Sequence, residues 1–219
     1  MSEMPLAIET ERQIIRLIYS YSELVDAGRF EDMAELFRNG RRSASGIIGR
    51  EDVGARGVMG YLNSLTMYAD GTPRTKHIIN NITVDIVEPA RVVRSRCHYQ
   101  LWQATESLPL QCIAAGRYHD QFECISGVWS FIERVSYLDF LGDVTHHVPE
   151  HWIPEMKRLA TRQNTDDVPT LNDVLNEVPS ERHQEIHRLA RNATLLGLRN
   201  GDGSWTIEAA GQELCIIRR

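Results

Sequence analysis

Four consecutive segments between Thr75 and Phe140 alternate apolar and polar residues with only short turns between them, and this constrains the fold more than any other feature. Ile78, Ile82, Val84 and Ile86 alternate with polar neighbours, and Glu88-Pro89-Ala90 supplies a turn. Val92 to Ala104 alternates again, Thr105 to Pro109 breaks the pattern, and Leu110 to Phe122 resumes it. Ile125-Ser126-Gly127 turns the chain once more, and Val128 to Phe140 makes the last long strand. Parallel pairing needs a crossover of about a dozen residues or more, so strands joined this closely pair antiparallel.

Such a sheet must cover one face, and the upstream sequence supplies the cover. Ile14, Ile15, Leu17, Ile18, Tyr21, Leu24 and Val25 recur at three- and four-residue steps, one stripe of a helix from about Ile8 to Ala27. Thr10 with Gln13 fits a capping box at its start, and Gly28 fits its stop. A short helix over Phe30 to Phe37, a short strand at Ile47-Ile48 and a helix from Glu51 to about Tyr68, weakened by Gly54, Gly57 and Gly60, follow. Helices segregated onto an antiparallel sheet define an α+β fold. After Asp143 the character shifts. Thr145 to Pro154 and Ala160 to Thr170 read as linker, Leu171 to Val178 and Arg182 to Leu196 as short helices, Gly197 to Gly203 as a loop, and Trp205 to Ile217 as one or two strands. The expected organisation is a domain over residues 1–145 and an extension over residues 146–219.

Composition excludes several functions. Hydrophobic residues at 42% and charged residues at 25% suit a globular chain and argue against disorder. No apolar run approaches the roughly 18 to 20 residues of a membrane span. A net charge of −6, with 24 Lys and Arg against 30 Asp and Glu, leaves no electrostatic footprint for nucleic acid. The acidic N-terminus, MSEMPLAIETERQ, lacks an apolar core and a cleavage site, so the expected location is cytoplasmic. Cys97, Cys112, Cys124 and Cys215 form no close pair and read as small apolar filler. His183 and His187 share a helix face, but HQEIH is not HExxH; that segment reads as a solvated helix, and His146, His147 and His151 as linker residues. The expectation is therefore no metal, no cofactor, no nucleic-acid or membrane partner, and a small hydrophobic molecule as ligand.

Three blocks carry a resemblance: YSYSELVDAGRFEDMAELF over residues 19–37, TKHIINNITVDI over residues 75–86, and AAGRYHDQF with GVWSFIERV between residues 114 and 135. In this order and spacing they resemble the SnoaL-like branch of the NTF2-like superfamily, over about residues 8 to 143. The resemblance implies a curved antiparallel sheet wrapped by helices into a cone with an apolar pocket at its open end, and a homodimer or homotrimer. Members with similar folds include scytalone dehydratase, hexachlorocyclohexane dehydrochlorinase, polyketide cyclases and ketosteroid isomerase. They also include the non-catalytic β subunits of ring-hydroxylating dioxygenases, so function rests on the site.

Asp26 sits at the C-terminal end of the first helix, where the dipole disfavours a carboxylate and burial raises its pKa; alternatively it is a solvated residue before a glycine turn. His77, read alone, is a polar cap at a strand start. The resemblance to the dehydratase and dehydrochlorinase implies instead that Asp26 and His77 form a dyad in which the carboxylate orients the ring and the ring removes a proton from carbon. Where the dehydrochlorinase has a lysine this chain has Tyr21, which puts halide elimination in doubt; Tyr21 either polarises a substrate oxygen or packs in the core. Trp102, Tyr118, Ile113 and Leu24 are expected to line the pocket, while Arg117, Glu133 and Arg134 read as a cross-strand charge ladder. The expected function is a cofactor-free lyase or isomerase acting on a hydrophobic cyclic or polyketide-like molecule. The alternative is a binding or assembly subunit resembling a dioxygenase β subunit.

Overall fold

The structure, a computed structural model, describes residues 3–44, 51–87, 92–161, 184, 195–199, 205–209 and 212–216. Helix α1 spans Glu3–Asp26 and buries Ile14, Ile18, Tyr21 and Val25 along one stripe. It begins upstream of the expected start. Thr10 is consequently a buried interior residue and Gln13 donates to Glu9, so Thr10 caps nothing. The helix stops where expected. Gly28, at φ +70, donates to the Val25 carbonyl at 2.9 Å while the Arg29 N–H reaches the Leu24 carbonyl at 2.9 Å, the paired bonds of a Schellman motif. A Cβ on Gly28 would stand 2.0 Å from the Gly71 carbonyl oxygen. Glycine is therefore required twice over, and it fixes where Asp26 ends the helix.

Helix α2 (Phe30–Glu35), strands β1 (Arg41–Ala44) and β2 (Glu51–Val53), and helix α3 (Gly54–Leu62) follow. The strand expected at Ile47-Ile48 lies outside the described residues, and α3 is shorter than the glycine-weakened segment suggested. Strands β3 (Thr75–Val87), β4 (Val92–Gln103), β5 (Gln111–Ile125) and β6 (Val128–Leu141) pair antiparallel in sequence and complete a curved sheet of order β2-β1-β6-β5-β4-β3. The β5–β6 turn places Ser126 at φ 50 and Gly127 at φ 84, as a two-residue hairpin of matching twist demands. Phe37, Phe122, Phe131, Met33, Leu62 and Ile113 form the centre of the core with the stripe of α1.

In β3 the structure corrects the reading. Ile78 was expected to share a face with Ile82, Val84 and Ile86, yet it is 48% exposed, while those three pack on the core. The pairing with β4 slips between Asn80 and Thr83, and Asn81 adopts φ 51. A bulge inserts a residue and inverts the alternation, so Thr75, His77 and Ile79 take the inner side before it.

The chain divides into two compact units. The first comprises Met1–Arg42 and Asp52–Thr161, the second Ser43–Glu51 and Arg162–Arg219. The expected boundary at residue 145 is thus shifted. Val144, His147 and Val148 are buried, and a 3-10 turn (Glu150–Trp152) leads into helix α4 (Ile153–Thr161) on β6. In the second unit β7 (Leu195–Arg199), β8 (Trp205–Ala209) and β9 (Gln212–Ile216) form an antiparallel meander. Strands β8 and β9 fall where strands were expected, whereas β7 occupies residues read as a helix end and a loop. The helix expected over Leu171 to Val178 and the His183/His187 face lie outside the described residues. Among the described residues no helix is long and apolar enough to cross a membrane.

Candidate active site

Strand β3 is an edge strand, so alternate backbone N–H groups along its outer side have no neighbouring strand to donate to. One of them, that of His77, meets the end of α1: it donates to Asp26 Oδ2 at 2.8 Å. The other carboxylate oxygen, Oδ1, accepts from the Thr75 hydroxyl at 2.9 Å and faces His77 Nδ1 at 2.7 Å. Thr75 and His77 lie two apart on one face of the strand, so one carboxylate takes all three groups. Both side chains of the pair are buried.

This geometry reverses the direction expected from burial alone. Burial pushes the Asp26 carboxyl up. The hydrogen bond and charge of the His77 ring, the His77 N–H and the Thr75 hydroxyl outweigh it and hold the carboxyl below its ordinary range. An ionised Asp26 only accepts, so His77 Nδ1 carries a proton whatever the charge of the ring, and in the neutral form the lone pair is on Nε2. No hydrogen bond to Nε2 is made among the described residues.

An aromatic cluster reaches the pair through Tyr21. Tyr21, buried on α1, stands nearly perpendicular to the His77 ring at 6.3 Å between centroids, and meets Tyr118 at 5.8 Å and Phe37 at 6.1 Å. The structure therefore makes it both a core residue and a neighbour of the imidazole. Tyr118 points inward and stacks on Tyr99 at 4.4 Å. Burial, reinforced by neighbouring Tyr21 and Tyr99, pushes its phenol well above the ordinary value. Ile113 is fully buried on β5, and Leu24 packs against the core from α1.

Arg134 departs from the expected ladder. It does pair across strands, binding Asp120 through Nε at 2.7 Å and a terminal nitrogen at 2.8 Å, but on the inner face, fully buried and 4.1 Å from both the Tyr21 and Tyr118 rings. Arg117 pairs instead with Asp139, and Glu133 with Arg41. Trp102 is a further correction. The buried residues of β4 are Val93, Ser95, Cys97, Tyr99, Leu101 and Gln103, so Trp102 lies on the opposite face with His98 and Gln100, donating to the Gln100 side chain at 3.2 Å. Both faces of this strand mix polar and apolar residues, which left alternation without a sign.

Sequence reasoning missed Thr75, Gln103 and His147. Thr75 was legible as the residue two before His77. Gln103 required knowing which face of β4 is inner. His147 sat in a stretch read as linker, yet it is 5% exposed. Burial drives its pKa down to about 4; the charge of His77 adds to that and Asp26 opposes it. Among the described residues no cluster of His, Cys, Asp and Glu is arranged to hold a metal ion.

An antiparallel sheet wrapped by N-terminal helices, with a carboxylate at the helix end facing an imidazole on the first long strand, is an NTF2-like architecture. The chain belongs to the SnoaL-like domain family, whose sequence model matches residues 7–135. Among solved structures it is similar to a candidate scytalone dehydratase from Novosphingobium aromaticivorans, at 22% identity and a TM-score of 0.54, over 64% of this chain and 91% of that one. It is similar to a protein of unknown function from Mycobacterium tuberculosis, at 16% identity and a TM-score of 0.55, over 75% and 96%. It is also similar to the β subunit of a candidate aromatic-ring-hydroxylating dioxygenase from N. aromaticivorans, at 17% identity and a TM-score of 0.53, over 66% and 99%. These likenesses establish the fold. Compared with curated proteins, the sequence finds no match.

Proposed function

We propose that the protein is a lyase or isomerase that moves a proton on a hydrophobic cyclic or polyketide-like molecule without a cofactor. His77 acts as general base through Nε2, Asp26 orients the ring and stabilises the imidazolium that forms, and Tyr21 polarises the substrate oxygen. The observation that carries this reading is the 2.7 Å contact between His77 Nδ1 and Asp26 Oδ1, with both groups buried. A carboxylate on Nδ1 fixes the tautomer that leaves Nε2 basic and offsets the charge gained on protonation. Such proton transfer is worth about 10² to 10⁴ in rate, enough for an activated C–H.

The test is exchange of the α-hydrogens of 2-tetralone, a flat neutral ketone, for deuterium in heavy water, followed by proton NMR. The protein accelerates the exchange, and His77→Ala loses at least about 10² of that acceleration while keeping its fold. An unchanged rate in the variant overturns the reading. Exposed apolar side chains on the sheet strands, Val128 and Phe140, together with the likeness to a dioxygenase β subunit, favour a second reading as an assembly subunit. Co-purification with a large iron-containing chain, and no exchange activity, selects it.

A further inference from the structure

We propose that His147 and Gln103 form a hydroxyl-binding pair beside the Asp26–His77 pair, and that the molecule they hold is uncharged. The proposal deepens the reading of the site as a proton-transfer centre by supplying its contact to substrate oxygen.

The argument starts from two buried atoms with nothing to bond. His147 Nδ1 and Gln103 Oε1 each lack a hydrogen-bond partner. A buried polar atom left so loses its bonds to water and gains none in return, and such atoms are rare enough to demand a reason. The orientation of the Gln103 amide is not arbitrary. Its Nε2 donates to the Pro73 carbonyl at 3.0 Å and to the His146 carbonyl at 3.2 Å, which fixes Oε1 as the bare end. The backbone around His147 is equally held: its N–H donates to Val144, its carbonyl accepts from Thr66, and the Tyr68 hydroxyl donates to the His146 carbonyl.

Both residues adjoin the dyad. Gln103 pairs in register with Thr75, whose hydroxyl binds Asp26, and one Gln103 amide bond ends on the carbonyl of the peptide joining His146 to His147. The His77 and Asp26 charges both act on the His147 ring, which stays neutral at ordinary pH. A neutral imidazole offers one donor and one acceptor, and an amide oxygen only accepts. With the ring proton on Nδ1, a hydroxyl, which donates once and accepts, satisfies both: it gives its proton to Gln103 Oε1 and receives one from His147 Nδ1. A carbonyl oxygen leaves Gln103 unsatisfied.

The fixed charges select against ions. Among the described residues Arg134 is balanced by Asp120 and Arg42 by Asp52, while Asp26 meets the His77 ring, so no buried cation is left over. A carboxylate ligand would add a second negative charge beside Asp26 with no further buried cation among the described residues to offset it.

The probe is 2-naphthol, the aromatic counterpart of the enol of 2-tetralone, with naphthalene as the control lacking the hydroxyl. In full-length protein labelled with 15N-histidine, 2-naphthol titrated to its solubility limit shifts the His147 ring nitrogens, identified by their loss in His147→Phe or His147→Gln, and naphthalene does not. His147→Phe binds 2-naphthol about tenfold more weakly and naphthalene as before. Unmoved His147 signals, or equal loss of both ligands in His147→Phe, overturn the proposal. Where His147→Phe fails to fold, His147→Gln supplies the assignment and the wild-type titration decides. If His77→Ala abolishes 2-tetralone exchange while His147 stays silent, the general-base reading stands and the hydroxyl pair falls. If no exchange occurs but His147 responds to 2-naphthol only, the pair stands and the base reading falls.

Discussion

The imidazole of His147 gives the protein an acid sensitivity that can be worked out from one side chain. In the unfolded chain it takes up a proton near pH 6.5; in the folded protein it resists until about 4, chiefly because burial disfavours the charged form. Protons therefore favour unfolding across that window. The stability associated with the neutral ring is fully present above pH 6.5, falls by about 3 kcal/mol on going to pH 4, and falls no further below it. Denaturant unfolding at several pH values checks this, and in His147→Phe the slope between 6.5 and 4 flattens. Asp26 acts in a lower window with the same sign: its carboxyl is held below 3.8, so its contribution is lost only as the pH drops through that region. At this scale the sequence was informative about the dyad and silent about its surroundings. Asp26 and His77 stand in recognisable runs, whereas His147 lies between histidine and proline residues that look solvated until β6 and α4 are in place.

Among the elements, the end of α1 matters most. The position of Asp26 depends on the helix stopping two residues later, and Gly28 is what stops it. Gly28→Ala puts a side chain into a left-handed conformation and a Cβ within 2.0 Å of a backbone oxygen. The strain alone is worth about 1–3 kcal/mol, and relief of the clash must move the α1 terminus or the Gly71 turn. The expected result is a fall in thermal stability, with 2-tetralone exchange reduced in the protein that remains folded. Helix α1, its terminator and the four long strands were all legible, because periodicity and turn chemistry are local. The bulge at Asn81 was not. It depends on how β3 meets β4 and on what α1 must reach, and its effect was to put His77, not Ile78, on the inner face. The same limit explains Trp102: alternation separates two faces without saying which one a helix will cover.

For the molecule as a whole, the point at issue is where the SnoaL-like unit ends. Val144, Val148 and Leu159 are buried, and Trp152 stacks on Tyr61 at 5.9 Å between ring centroids. A chain cut after Thr145, the boundary expected from the sequence, loses Val148, Trp152 and Leu159. Each large apolar side chain taken from a core costs about 2–5 kcal/mol, so their combined loss exceeds what a typical domain can spare. A chain ending at Thr161 keeps them. The shorter form is expected to lack a cooperative thermal transition by circular dichroism, and the longer one to retain it. Composition could not draw this boundary, since segments rich in His and Pro look alike whether they span solvent or close over a core.

One consequence of the dyad lies outside chemistry. An open sheet margin is a template on which a neighbouring chain can add a strand, and proteins carry devices that prevent such growth. Strand β3 has two of them. The bulge at Asn81 breaks its straight run, and Asp26 occupies the His77 N–H that an incoming strand would seek. The carboxylate that meets the imidazole thereby also blocks strand addition at this N–H, so under the proposed function one side chain would serve both the sheet margin and the proton transfer.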